Sequence, residues 1–556
     1  MENTLLKLSE DDKLKLVLQT RKRLDSSLKY YSVKRETWRK CYKIYRAIKD
    51  ERSDDEPNIG LAVAFGLVED IVARIVGPAL GKLNIMVKPK RDDHTQQAEN
   101  YYNMARSYYG SSEYRVEWVN ACRERVITGG KWEFDEWAND YSEGFRWGMR
   151  DVMSKASELM PTLAGMAEKM GLMSKIREMT KIKKLFPLRV GVKTHFPSMF
   201  RVHPQPGVKK FEDLKWIIEV IPFAALDDLK KAQYTIDGQS FPIYDLSKFL
   251  GDKKNAPEVV IRPVWPTDDD NIQFEAEYTD VDNSDIDYDV DGLHLLKVRT
   301  PNEIYVIANG NTVIQHITNP FFKPGIKARL RVYTQDTQAL NGIGVIEPLI
   351  EMFEELDDVH NMAMENWIRV IHKMIIYNEI MVPYPDDFNA RSGGRIRADG
   401  SKGNIRDAFL PVDHEDVTGT MITTEQNLRG YIGSIASISD MTPGPMGTKP
   451  FHKTYRGLIE IETQYAKRFS VTLLLDQAET MKQMNEQYYL YDQFMFEPQS
   501  FTECAKGAGA VQYTREDIDT DGLGFEFSAS DDPSFGDAGV LRNQWMVLLD
   551  KAMAYE

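Results

Sequence analysis

Two short acidic runs in this 556-residue chain have residue types and spacing that could do chemistry. Asp287-x-Asp289-x-Asp291-Gly292 and Asp517-x-Asp519-x-Asp521-Gly522 both place carboxylates at alternate positions ahead of a glycine, as the first half of a calcium loop does. Such a loop also needs a bidentate glutamate at its twelfth position. Val298 and Ser528 stand there instead, so both runs read as solvated acidic turns. Clustered acids could also serve metal-assisted phosphodiester cleavage, but no lysine or histidine accompanies them at a recognisable spacing. Gly444 to Lys449 has the glycines of a phosphate loop only superficially, because Pro443 and Pro445 deny it a helix start. The nine histidines are scattered and no H-E-x-x-H occurs. Cys41, Cys122 and Cys504 are far apart and odd in number, which points to reduced structural thiols rather than a disulfide framework or a zinc site. The expectation is a protein with no catalytic residues, no metal site and no cofactor.

Two charged features remain. Arg391, Arg395, Arg397, Lys402 and Arg406 lie in a stretch rich in glycine and proline. They form either a solvated surface loop or a docking tip whose guanidinium groups suit carboxylate and phosphate partners. Glu347, Glu351, Glu354, Glu355 and Asp358, with Asp357, make an acidic band. The whole chain carries a net charge of −15. Proteins that grip DNA by releasing counterions carry a basic footprint, so an acidic lining would repel phosphate and let a duplex slide. Residues 1–50 are the exception, with 14 Lys/Arg against 7 Asp/Glu, a net +7.

The elements that must position these features follow from periodicity and turn signals. Residues 1–50 read as one or two basic helices, with an apolar helix at Ile59 to Val76 ending near Gly77-Pro78. A short strand at Leu83 to Pro89 and helices at Glu99 to Gly110 and Glu113 to Thr128 come next. Glu136 to Lys184, with seven methionines from Met149 to Met179, reads as a helical insertion whose methionines are adaptable core or interface. Phe196 to Leu330 turns to strand periodicity, holds a helix at about Phe223 to Lys231, and has its clearest hairpin at Asn309-Gly310-Asn311. Strands are expected there at Val259 to Val264 and Ile272 to Tyr278 as well.

A long helix is predicted from Gly344 to Tyr377, about 50 Å at 1.5 Å per residue. Its apolar seam of Ile346, Leu349, Phe353, Leu356 and Val359, then Met364, Trp367, Ile371 and Met374, calls for a partner. After a turn-rich excursion comes a second helix, Thr420 to Ser439. Met441-Thr442-Pro443-Gly444-Pro445-Met446-Gly447-Thr448-Lys449-Pro450 cannot be regular structure. Another long helix occupies Thr454 to Phe494, a strand Gly524 to Phe527, and a helix Ala538 to Tyr555. No apolar run approaches the roughly 20 residues that span a bilayer, and Met1 to Lys7 lacks the basic region and apolar core of a signal peptide.

This order of parts resembles the portal (head-to-tail connector) family of tailed bacteriophages. The likeness rests on the Trp-containing opening Arg35-Glu36-Thr37-Trp38-Arg39, the apolar helix, and the strand Met86-Val87-Lys88-Pro89. It continues through Asn309-Gly310, Asn319-Pro320-Phe321 and Gly342-Ile343-Gly344 entering a helix. It covers Tyr30 to the C-terminus loosely and is best over Asn309 to Arg468.

The resemblance implies an α+β subunit whose long stem and wing helices, β-rich wing and small clip assemble into a ring, twelve-fold in the virion. Residues 1–343 would then be N-terminal helices and wing, with the insertion at 136–184. Residues 344–377 and 420–439 would be stem helices and 378–419 the clip. The tunnel loop would be 440–452, the long wing helix and C-terminal wing 453–537, and the start of a crown 538–556. Met441, Thr442, Pro443, Gly444, Pro445, Met446, Gly447, Thr448 and Lys449, with Lys453, would face DNA. The five basic clip residues would dock the large terminase and later the adaptor or tail proteins, and the acidic band would line the stem. The implied function is a non-enzymatic conduit for double-stranded DNA at one capsid vertex, meeting major capsid and scaffolding proteins and assembled in the host cytoplasm, with no membrane. Alternatives are another phage adaptor, of tail or baseplate, without a DNA channel, and a metal-dependent DNA enzyme.

Overall fold

The computed structural model describes residues 8–49, 57–81, 85–151, 177–236, 239–247, 292–319, 325–372, 375–382, 399, 401, 403–404, 409–412, 414–436, 455–495, 498–502 and 510–529. Helix α1, Glu10–Tyr45, is a single 36-residue rod. Ser9 caps it by accepting the Asp12 N–H at 3.2 Å, and Glu10, Asp11 and Asp12 complement the dipole of its first turn. α2 is Val63–Gly81. It runs on through Gly77-Pro78 where the sequence suggested a stop, since a proline can kink a helix as well as break it. β1 (Ile85–Pro89) precedes α3 (Thr95–Gly110) and α4 (Ser112–Thr128). Ser111 caps α4, accepting from Tyr114 N–H, and Gly129 ends it in the left-handed conformation at φ 89°.

The expected helix over Glu136 to Lys184 is corrected at both ends. β2 (Gly130–Asp151) and β3 (Arg177–His195) form a long antiparallel ribbon, from Phe134 opposite His195 to Asp151 opposite Arg177. Residues 152–176 lie outside the described ones. Pairing between β2 and β3 overrides the local pattern here, and β11 adds to the other edge of β2 at Gly130 to Phe134.

β4 (Val202–Pro204), β5 (Ile217–Ala225), α5 (Leu226–Lys231), β6 (Gln233–Ile236), β7 (Gln239–Pro242), β8 (Gly292–Arg299), β9 (Glu303–Ala308), β10 (Thr312–Thr318) and β11 (Ala328–Val332) follow. β10-β9-β8-β5-β4 is an antiparallel five-stranded sheet. The β9–β10 hairpin turns on Asn309 and Gly310, at φ 47° and 66°, as a tight primed turn requires. β6 and β7 pair separately, and β11-β2-β3 is a second antiparallel sheet. The strands expected at Val259 to Val264 and Ile272 to Tyr278 lie outside the described residues.

Glu347–Leu349 is a 3-10 turn leading into α6, Ile350–Ile371. The predicted single helix to Tyr377 is therefore too long. It spans 22 residues, about 33 Å, and Ile375–Tyr377 is instead strand β12, paired with β13 (Phe409–Pro411). The β-branched and aromatic Ile375-Ile376-Tyr377 finds a strand partner that no local rule reveals. α7 is Thr418–Ala436 and α8 is Tyr455–Phe494. β14 (Gln499–Thr502) pairs with β15 (Ala510–Tyr513), and β16 (Phe525–Ala529) pairs back to β1. The helix expected at Ala538 to Tyr555 lies outside the described residues. Segregated helices and antiparallel sheets make the fold α+β.

The largest core joins α2, α3, α4, the start of α6, α7 and the second half of α8, around Ile71, Ile75, Tyr101, Met104, Leu349, Phe353, Ile432 and Tyr488. α1 bridges separate cores. Val17 and Leu24 pack on the five-stranded sheet against Ile218, Leu296 and Tyr305, while Trp38 joins Trp132, Phe134 and Phe200.

Candidate functional site

The helices predicted to carry the site form an antiparallel hairpin. α6 and α7 pack on each other, with His360 Nδ1 3.3 Å from Glu425 Oε2. Nearer the hairpin neck, the Asn366 amide donates to Glu415 O (3.1 Å) and accepts from Val417 N–H (3.3 Å). This one side chain fixes where α7 begins. β12 and β13 then close the neck of the excursion, in register Ile375 with Pro411 and Tyr377 with Phe409. Just past it, Met381 and Val382 are buried, and Asp399 N–H returns to Met381 O at 2.8 Å.

The apolar seam of α6 splits in two. Ile346, Leu349, Phe353 and Leu356 are consumed by the chain's own core. Of the rest, Trp367 and Ile371 are exposed, at 51% and 55%, Met364 is half-buried and Met374 lies outside the described residues; Met362 and Ile368 are exposed beside them. α7 repeats the pattern, burying Leu428, Ile432 and Ala436 and exposing Ile422, Tyr431 and Ile435. Ile376, Tyr377, Ile380 and Leu410 at the neck are exposed as well. Exposed large apolar side chains recurring along one hairpin suggest an interaction face.

The acidic band also divides. Lys34 Nζ of α1 bridges both carboxylate oxygens of Glu347 at 2.7 Å, so Glu347 ties α1 to the base of α6. Asp357 pairs with Lys49 and accepts the Leu61 N–H at 2.9 Å, while Asn361 holds Ile59 by both its N–H and its C=O (2.9 and 3.1 Å). These two side chains pin the strand-like entry to α2 against α6. Glu351, Glu354 and Glu355 are exposed and have no ion-pair partner among the described residues, and Asp358 is half-buried on the same stripe.

Arg391, Arg395, Arg397, Lys402 and Arg406 lie outside the described residues, as do Met441 to Lys449 and Lys453. Asp287 to Asp291 do too. The second acidic run is described and is spent on backbone. Asp517 Oδ2 accepts from Thr514 N–H (2.7 Å) and Oγ1 (2.8 Å), and Asp519 accepts from Asp521 N–H (2.9 Å). Among the described residues no group of three or more His, Cys, Asp or Glu side chains could hold a metal ion. No helix among them is long and apolar enough to cross a membrane. Cys41 and Cys122 are buried thiols, each pushed up to about 12 chiefly by burial.

Sequence reasoning missed the strongest electrostatic feature, a set of buried ion pairs in the two sheets. Arg299 Nη1 meets Glu219 at 2.6 Å and its Nη2 meets Glu136, which Lys297 also approaches. Burial raises both carboxyl pKa values, but Arg299 on Glu219, and Lys297 with Arg299 on Glu136, outweigh it. Glu219 falls to about 2 and Glu136 lower still. The alternation of Lys131, Glu133 and Asp135 with Trp132 and Phe134 was the available signal for a strand with one polar buried face.

No protein-family model matches the chain, and no curated protein sequence matches it.

Proposed function

We propose that this chain is a portal subunit: one of a ring of copies, twelve in the virion, enclosing a channel through which double-stranded DNA is packaged and later ejected. The observation that carries the reading is the α6–neck–α7 hairpin. Its base is embedded in the chain's own core, while Met362, Trp367, Ile368 and Ile371 are exposed on its far half and Tyr431 and Ile435 on the outside of its base. Burying a large side chain of this kind is worth about 1.5–3 kcal/mol. Six such residues on one hairpin favour self-association into a closed ring, where every copy covers the next. The stripe Glu351, Glu354, Glu355 and Asp358 suits a channel wall that phosphate does not stick to. In this reading the excursion closed by β12 and β13 is the clip. Its Arg391, Arg395, Arg397, Lys402 and Arg406 meet the terminase and then adaptor or tail proteins, and the segment 441–453 is the loop nearest DNA. Capsid and scaffolding proteins contact the outer wing, at the capsid vertex.

Electron microscopy of the purified full chain is the test. Closed rings with an axial hole wide enough for a duplex, about 20 Å or more, are expected. Rings or stacks without a hole would favour an adaptor, and a monomer that cleaves DNA with added magnesium would overturn the reading in favour of an enzyme.

A further inference from the structure

The middle of α8 meets the β11–β2–β3 sheet through ions and amides rather than apolar side chains. Alternate residues put Glu133 and Asp135 of β2, Arg329 and Arg331 of β11, and Thr194 of β3 on one buried face. Trp132, Phe134 and Ala328 occupy the other, in an apolar cluster. α8 answers with Asp476, Thr480, Gln483, Glu486 and Gln487, at the three- and four-residue spacing of one helix face.

Arg125 of α4 is bidentate to Asp476, with Nη2 to Oδ2 at 2.9 Å. Arg331 donates to Asp476 O (3.1 Å), Thr480 Oγ1 (3.0 Å) and Gln483 Oε1 (2.8 Å), and within the sheet to Glu133 (2.5 Å). Arg329 reaches Glu486 at 2.6 Å and, within the sheet, Asp135. Gln483 Nε2 donates to Asp135 Oδ1 (3.3 Å) and Thr194 Oγ1 (3.2 Å). From Met484 onward Glu486 and Gln487 still face the sheet, but Met484, Tyr488, Leu490, Tyr491 and Met495 add an apolar anchor buried in the main core.

The charges are partitioned unevenly. α4 and the sheet hold three buried guanidiniums, Arg125, Arg329 and Arg331, against two carboxylates, Glu133 and Asp135. α8 brings Asp476 and Glu486. Were α8 to leave, Arg331 would keep Glu133 and Arg329 would keep Asp135, both on neighbouring strands of one sheet. Arg329 would lose Glu486 but still hold Asp135, whereas Arg125 would lose Asp476, the carboxylate it holds in a bidentate pair. A buried ion pair gains little net stability when made, because desolvation offsets attraction, and water can re-enter both of its halves when they part. An apolar anchor has no such compensation.

We infer that the Arg125–Asp476 pair is the latch of a two-part helix. The stretch of α8 from residue 471 to 483 opens from the sheet as a unit, while Met484 to Met495 stays anchored in the core. Val471 and Leu474, exposed at 60% and 65% just before the latch, add no apolar hold on the opening side, where the half-buried Met481 touches the edge of the main core. The latch goes beyond the portal reading and concerns the fold alone. It stands whether or not copies form rings.

Hydrogen exchange read by mass spectrometry on the full chain tests it. In Asp476→Asn, amides of residues 471–483 should exchange on the order of 100-fold faster, with β2, β11 and residues 484–494 changed by less than about threefold. Acceleration of helix and sheet together, or of no segment, would overturn the latch. Should that variant not fold, the wild type in urea below its unfolding transition decides. Residues 471–483 should exchange through a smaller, less denaturant-dependent opening than residues 484–494, and one shared opening for both halves would sink the idea.

Discussion

Gly344 stands where the chain enters the hairpin, and replacing it with alanine is the sharpest probe of how the hairpin is held. A Cβ built there would lie 2.3 Å from Ile127 O, 2.9 Å from Ile127 C and 3.0 Å from Gly129 N. All three are backbone atoms at the end of α4, so no side chain can swing aside. The two segments are also bonded at this point: Val345 N–H donates to Val126 O and Tyr333 N–H to Gly129 O, each at 2.9 Å. Making room for one methyl group means parting the segments by about 1 Å, an overpacking cost of about 1–3 kcal/mol. Losing the Val345 bond adds about 1–3 kcal/mol if its buried partners go unmet. Gly344→Ala should therefore destabilise the chain by about 3 kcal/mol or more. Gly430→Ala supplies the control, because nothing lies within 4 Å of its Cβ and it sits inside α7. There the same substitution should stabilise by about 0.5–1 kcal/mol through helix propensity. Urea unfolding of both variants, followed by far-ultraviolet circular dichroism, reads the two signs. If Gly344→Ala lands within about 0.5 kcal/mol of wild type, α4 does not clamp the entry to α6 and the reasoning fails.

Trp367→Glu, alone or with Ile371→Glu, should leave the subunit folded but shift sedimentation from rings to monomers; rings that persist would move the interface off the hairpin. Lys449→Glu should alter DNA packaging or retention in an assembly assay while rings still form, and loss of rings would make that loop structural. Acid stability should fall in two windows. Burial holds His294, whose ring nitrogens have no partner among the described residues, down to about 4. Its contribution is complete above the unfolded value of 6.5 and declines as pH falls from there to about 4, by roughly 3 kcal/mol in all. Glu219, lowered to about 2 despite its burial by Arg299 beside it, contributes fully above its unfolded value of 4.5 and loses that as pH falls towards 2. His294→Phe should shrink the upper window while leaving the lower one unchanged, with the buried His203, also held well below 6.5, keeping part of the upper loss, as pH-dependent urea midpoints would show.

Much of this was legible along the chain. Ser111 and Gly129 bracket α4, Asn309-Gly310 turns the β9–β10 hairpin, and the spacing of Phe353 and Leu356 marks the buried side of α6. Caps, turns and amphipathic stripes act over a few residues, so one sequence suffices to find them. The absence of a nucleotide loop or zinc motif was legible for the same reason. What the tertiary structure alone decided depends on which residue arrives through space. β2 and β3 became a ribbon rather than a helix because they pair with each other from Phe134 opposite His195 to Asp151 opposite Arg177. Glu347, a member of an acidic band by sequence, is neutralised by Lys34, 313 positions away. The seam of α6, broken by a phase slip after Val359 in the sequence, is part core and part open face because only its first turns join the main core. The sequence by itself determined the helices that carry caps and clear stripes, the tight turns and the placement of charge. Only the tertiary structure decided which charges are paired and which apolar faces still lack cover, since burial and Coulomb energy depend on distance in space rather than on separation along the chain.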